Sequence, residues 1–267
     1  MLGAIIGDIA GSRFEFRNHR SKEFELLSRA ERCRATDDSI MSLAIAQAVL
    51  DCAGNYTGIG EVAKKRMLEY GQRYPYAGYG CSFYDWLISD NPMPYNSYGN
   101  GAAMRISAVG LAARSLEEAI EMARKVTEIT HNHPEGIKGA EATAAAIYLA
   151  RTGCTISEIR KYIADHYYKI DFTIDEIRPT YEFNESCQET VPQALEAFFE
   201  STDFEDAIRT AVSVGGDSDT LAAITGGIAE AYYGIPSSLR TLAMSFLDQE
   251  LSAVVTKFEE KFPCRSV

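Results

Sequence analysis

Two short acidic segments hold the residues best suited to chemistry. Thr36-Asp37-Asp38-Ser39 sets a hydroxyl beside adjacent carboxylates just before an apolar helical run. Hard oxygen ligands of this kind suit Mg²⁺ or Mn²⁺. The same residues also make an ordinary helix start, a threonine cap with acids in the first turn. Gly215-Gly216-Asp217-Ser218-Asp219-Thr220 repeats the theme far along the chain. Its two glycines and two aspartates exceed what capping requires, and glycine lets backbone and carboxylates crowd around a small ion. It is not an EF-hand loop, since the required glycine and distal glutamate are missing. Two such helix starts, distant in sequence, point to one shared metal site. A helix N-terminus repels cations, so the carboxylates must supply the affinity.

Three further segments have weaker signals. Gly7-Asp8-Ile9-Ala10-Gly11-Ser12 leads to Glu15. Gly7 and Gly11, four apart in a helical pattern, allow a second helix to approach closely. If that helix continues, Asp8 and Glu15 share a face two turns apart, which on its own reads as a solvated acidic face. Tyr98-Gly99-Asn100-Gly101-Ala102-Ala103-Met104-Arg105 is a glycine-rich turn into a helix. Its backbone N–H groups can meet a phosphate, though Asn-Gly turns are common punctuation. It is neither a Walker A loop nor a dinucleotide fingerprint. Thr130-His131-Asn132-His133-Pro134 closes one helix and opens the next. Without third and fourth soft ligands nearby, its histidines read as capping or substrate-contacting groups rather than zinc ligands.

The elements that must position these residues are helical. Ile40, Leu43, Ala44, Ala46, Val49 and Leu50 form a stripe at helical spacing within 39–53. Ser115-Leu116-Glu117-Glu118 and Thr155-Ile156-Ser157-Glu158 are capping boxes, opening helices to about His131 and Tyr168. Pro134 suits the first turn of a helix reaching Arg151. Further helices are expected over 188–200, 203–214, 218–233, 236–248 and 250–261. No alternating run or strand-helix-strand rhythm is present. The expectation is a compact all-α fold of about ten helices, its small-residue runs at 140–146 and 221–231 packing closely. No linker interrupts it, so residues 1–267 read as one domain. The stretch from Tyr74 to Tyr98, rich in aromatics, glycine and proline, reads as an ordered aromatic loop system.

Bulk properties exclude several classes. Apolar residues make up 46% and charged residues 24% of the 267, an ordinary globular composition. A net charge of −12 argues against tight nucleic-acid or membrane-surface binding, while a bound divalent cation still admits an anionic small substrate. Six cysteines without a CxxC pair suit free thiols in a reducing cytoplasm. The apolar start lacks a basic region and is cut short by Asp8, so no signal peptide is expected.

Taken together, GDIAGSRFE, TDDS, the GYG of Gly78-Tyr79-Gly80, YGNGAAMR, the Thr130-His131 pair and GGDSDTLAAITGGIAEAYYG resemble the ADP-ribosylglycohydrolase family. These pieces span Gly3 to about Pro236, in family order. The resemblance implies a compact all-α fold and a site for two Mg²⁺ or Mn²⁺ ions formed by Thr36, Asp37, Asp38, Asp217, Asp219 and Thr220. It implies that the substrate lies along Gly78, Tyr79, Gly80, Tyr98, Gly99, Asn100, Gly101, Ala102, Met104 and His131, with its diphosphate on the Gly99–Met104 turn. It also implies hydrolysis of an ADP-ribosyl bond through oxocarbenium character at the anomeric carbon. A carboxylate such as Glu15, Asp37 or Asp38 activates water, or Glu15 serves the leaving group. The implied substrate is an ADP-ribosylated protein or a small ADP-ribosyl conjugate, and the compact form leans to ADP-ribosyl-arginine, with serine, a nucleic-acid end or a free metabolite as alternative acceptors. The residues alone leave open a different metal-dependent hydrolase or a non-catalytic binding module.

Overall fold

A computed structural model describes residues 1–264. Its fourteen α-helices are α1 (Leu2–Gly11), α2 (Asp37–Asp51), α3 (Ile59–Arg73), α4 (Cys81–Ile88), α5 (Ser107–Ala112), α6 (Leu116–Thr127), α7 (Pro134–Thr152), α8 (Ile156–His166), α9 (Ile174–Ile177), α10 (Cys187–Phe199), α11 (Phe204–Val212), α12 (Ser218–Tyr233), α13 (Ser237–Met244) and α14 (Gln249–Lys261). A single 3₁₀ turn covers Asn100–Ala102. There is no strand among the described residues, only an isolated bridge between Gly99 and Ser186. The fold is all-α, as expected, with more and shorter helices than the sequence pattern suggests.

Helix α12 is the axis of the packing. Every residue from Ser218 to Ala231 is buried, as befits a helix enclosed on all sides. α1, α7, α10 and α11 surround it. The contact with α1 is the closest, and glycine makes it possible. A Cβ on Gly7 would lie 1.9 Å from the Ala222 carbonyl oxygen, and one on Gly11 would lie 2.5 Å from the Asp219 Cα. That contact sets Asp8 beside the start of α12.

Four local expectations are corrected. α1 ends at Gly11 and does not reach Glu15. The Ser12 hydroxyl turns back to the Ile9 carbonyl at 2.9 Å, and the buried Arg13 guanidinium reaches Glu31 and the Glu25 carbonyl, drawing the chain off the helix axis. Within the aromatic stretch, Phe83, Trp86 and Leu87 fall on one face of α4 and are buried, so apolar packing builds a helix where loop composition predominates. The Ser115 box is only half made: Ser115 accepts from the Glu118 N–H, but the Glu118 carboxylate accepts from the Arg114 N–H at 2.7 Å instead. Thr36 heads α2 without capping it through its own side chain. By contrast, both halves of the Thr155 box form.

Candidate active site

The cap missing from Thr36 comes from another helix. The Asp8 carboxylate accepts the backbone N–H of Thr36 at 2.8 Å and of Ser39 at 3.0 Å, the Thr36 hydroxyl at 2.6 Å, and the Ser39 hydroxyl. Asp8 is therefore no solvated acid. It is fully buried, and it fastens the start of α2 to α1, which is already locked to α12. The two acidic helix starts meet as a result. The Asp38 Oδ2 accepts the Thr220 hydroxyl at 3.3 Å across that junction.

Two carboxylate groups of three arise there. Asp8, Asp38 and Asp219 offer oxygens within 4.8 Å of one another, as do Glu15, Asp217 and Asp219. Asp219 is common to both. The Asp38 Oδ1 is buried without a hydrogen-bond partner, an arrangement that costs free energy unless a cation or proton satisfies it. Proton affinities record the same crowding. Burial, with the Asp8 charge second, pushes Asp37 up to about 8. Burial, with the Asp217 charge second, pushes Glu15 up to about 7. Burial, followed by neighbouring acids, holds Asp38 and Asp219 well above the usual carboxylate range. Buried acids that resist ionisation alone form a good donor set for a hard divalent cation, so the residues fit Mg²⁺ or Mn²⁺.

These acids form the floor of a cleft of about 440 Å³. Glu15, Asp37, Asp38, Asp217, Asp219 and Thr220 line it, together with Gly78-Tyr79-Gly80 and with Gly99, Asn100, Gly101, Met104 and His131. Thr36 lies buried behind Asp38. Ala102 is buried beneath the turn, and Tyr98 stands outside the cleft, its ring edge-on to His133 at 5.2 Å. The Asn100 amide donates to the Asp217 Oδ2 at 2.6 Å and to the Thr190 hydroxyl at 3.1 Å, tying the glycine-rich turn to the acidic floor. The histidine pair divides its work. The His133 Nδ1 accepts the Glu135 N–H at 3.1 Å and caps α7, whereas His131 faces the cleft.

The pattern of the ADP-ribosylglycohydrolase family matches residues 1–263. The chain belongs to that family. It is thus an enzyme of the glycohydrolase class. Among relatives, it is 28% identical to ADP-ribosylhydrolase ARH3 of Xenopus tropicalis, over 94% of this chain and 91% of that protein. It is 25% identical to ADP-ribosyl-[dinitrogen reductase] glycohydrolase of Rhodospirillum rubrum, over 88% and 84%. The solved structure of an ADP-ribosylglycohydrolase-related protein complex shares the fold, with a TM-score of 0.69 at 21% identity, covering 97% of this chain and 96% of that one.

For an ADP-ribosylglycohydrolase, several residues in and behind the cleft escape a reading of short motifs. Asp8 looked like surface because its role depends on α12, more than two hundred residues away. Phe16 and Phe183 stand at the cleft mouth, 80% and 40% exposed, with rings 5.6 Å apart. Glu185 also lines the cleft. Nothing local marks Phe183 or Glu185, which sit in an irregular segment before α10. Arg105 closes a legible motif, yet its type alone does not reveal that it is buried in the cleft wall.

Proposed function

We propose that this chain, acting as one domain over residues 1–267, hydrolyses the glycosidic bond between ADP-ribose and an acceptor, and that ADP-ribosyl-arginine on a protein is its preferred substrate. The observation that supports this most directly is the pair of carboxylate groups sharing Asp219, set at the floor of a cleft walled by the Gly99–Met104 turn. Thr36, Asp37, Asp38, Asp217, Asp219 and Thr220 would hold two Mg²⁺ or Mn²⁺ ions, with Asp8 orienting Thr36. Ions held there would supply Lewis-acid chemistry, orienting ribose hydroxyls and making a bound water more acidic.

The chain's own residues do the rest. The Gly99–Gly101 backbone and His131 receive the diphosphate. Asn100 couples that grip to Asp217, so substrate seating and the acidic floor move together. Glu15 sits on the turn after α1, half-buried, with its carboxyl near neutral affinity for protons. It takes the proton of the attacking water as the anomeric carbon gains oxocarbenium character, and returns a proton to the departing acceptor. The exposed Phe16–Phe183 pair and Glu185 at the mouth suit a planar cation, which stacks on aromatic faces and pairs with carboxylate. This favours a guanidinium acceptor over a neutral hydroxyl. The six unpaired cysteines support a reducing compartment, the cytoplasm, and no described helix is long and apolar enough to cross a membrane.

The test is release of ADP-ribose from arginine-linked and serine-linked substrates, with Mg²⁺ or Mn²⁺ and with EDTA. Metal-dependent release, faster from arginine, is expected. Faster release from serine would overturn the acceptor, and release undiminished by EDTA would overturn the metal site. Tight ADP-ribose binding without turnover would make the chain a binding module.

A further inference from the structure

Arg105 is an unusual cation. It is 1% exposed, and among the described residues no carboxylate pairs with it. Its Nε has no hydrogen-bond partner, and its guanidinium lies 5.9 Å from the centre of the Phe83 ring. A buried charge without a counterion is costly, so its remaining contacts matter. The Nη2 donates to the Thr130 hydroxyl at 2.7 Å and lies 3.4 Å from the His131 Nδ1. Thr130 Oγ1 lies 2.8 Å from the same Nδ1.

A guanidinium only donates, whereas a neutral imidazole carries one donor and one acceptor nitrogen. With Arg105 donating to Thr130, the threonine proton is free to run on to Nδ1. The alternative puts a proton on Nδ1, aims it at a hydroxyl already receiving from Arg105, and sets it beside an arginine N–H. It also sends the threonine proton to the Thr127 carbonyl at the longer distance of 3.3 Å. The shorter, head-to-tail chain runs Arg105 Nη2–H to Thr130 Oγ1–H to His131 Nδ1. The ring proton is then on Nε2. That nitrogen has no partner among the described residues and lies against the glycine-rich turn, 3.3 Å from where a Cβ on Gly101 would be.

We propose that Arg105, acting through Thr130, is a positioning residue that fixes His131 as the Nε2–H tautomer and so makes the ring a donor to an anionic oxygen seated on the Gly99–Gly101 turn. The buried charge reaches the ligand through this relay and is balanced when the anion binds. Burial and the Arg105 charge also keep the ring from protonating, since both lower the affinity of His131 for a second proton. The assignment of a diphosphate as the anion rests on the functional reading above; the tautomer does not.

The experiment is long-range ¹H–¹⁵N correlation of the full chain labelled at histidine, with the His131 signal assigned by its loss in His131→Asn. Calorimetric titration with ADP-ribose in Mg²⁺ accompanies it. In the wild type, His131 should show a protonated Nε2 and an unprotonated Nδ1 throughout pH 6–8. Thr130→Val should give mixed tautomers and weaken ADP-ribose binding about tenfold or more, the loss expected for a hydrogen bond to a charged group. Arg105→Lys, which still donates to Thr130, should restore the Nε2–H signature lost in Arg105→Met. A protonated Nδ1, or a cationic ring near neutral pH in the wild type, overturns the relay before any variant need fold. So does a Thr130→Val protein with unchanged tautomer and affinity. An Nε2–H ring in a wild type that does not bind ADP-ribose leaves the relay standing and overturns the functional reading instead.

Discussion

At the residue scale, the floor acids divide by what already satisfies them. Asp8 takes four protein donors, so its carboxylate is committed to holding α2 in place. Asp38 has only hydroxyl contacts on Oδ2, at 3.3 and 3.5 Å, and nothing on Oδ1. It is the acid with most to gain from a cation, and without one it suffers burial and the charges of Asp8, Asp37 and Asp217. The two states of the protein should therefore respond oppositely to Asp38→Asn. In EDTA at pH 8, removing the charge should stabilise the fold by about 1–3 kcal/mol, since a carboxylate with raised affinity for protons destabilises its folded state when ionised. In Mg²⁺ the same change should cost metal binding and abolish turnover. Urea melts with and without metal, beside turnover, measure both. A variant destabilised in EDTA would mean that Asp38 is a structural acid.

At the element scale, function depends on how closely α1 lies on α12. Gly7→Ala tests this because two effects oppose each other. Alanine is the better helix former by about 1 kcal/mol. The new methyl, however, would lie 1.9 Å from a backbone carbonyl that cannot swing aside, and overpacking of that kind costs about 1–3 kcal/mol or more. The clash should win, lowering the urea midpoint and weakening metal binding, because Asp8 moves away from Asp38 and Asp219. Gly58→Ala, where a Cβ meets nothing within 4 Å, is the control and should change stability by under about 1 kcal/mol. Equal midpoints for the two variants would show that α1 adapts freely. The same elements show what the sequence discloses. The Thr155 box, Pro134 and the stripe of α2 mark their helices because the signals are local. α5 is buried all round and has no apolar period to read. α3 buries a stripe of Ile59, Ala63, Met67 and Tyr70, but Gly58 at its start offers no side-chain cap to mark where it begins. The two metal-side segments were legible as chemistry in isolation. Their sharing one site was legible as well, and so was the close approach that Gly7 and Gly11 permit; that the approaching helix is α12, and that Asp8 fastens the start of α2 to α1, was not, because both depend on contacts far apart in the chain.

At the scale of the whole molecule, the floor should couple folding to pH and, on the proposed reading, to metal. Glu15 and Asp37 are held at about 7 and about 8, and Asp8, Asp38, Asp217 and Asp219 are also raised. For a group whose folded affinity for protons exceeds its unfolded one, the stabilising contribution is complete below the unfolded pKa, about 4 for a carboxyl. It is lost as pH rises through the folded value. The metal-free protein should accordingly lose stability steadily from pH 5 to 8. Metal binding requires the ionised acids, and it adds stability in proportion to the logarithm of metal over its Kd, about 2.7 kcal/mol at a hundredfold excess. Its affinity rises over the same interval in which the empty site becomes a burden. The gap in Tm between Mg²⁺ and EDTA should therefore be small at pH 5.5 and widen monotonically to pH 8. Thermal melts in matched ionic strength measure this, and Ca²⁺, which prefers longer bonds and more ligands, should narrow the gap. A gap that stays constant with pH would mean that metal binds where no buried acid has to ionise, and the carboxylates around Asp219 would then need another explanation.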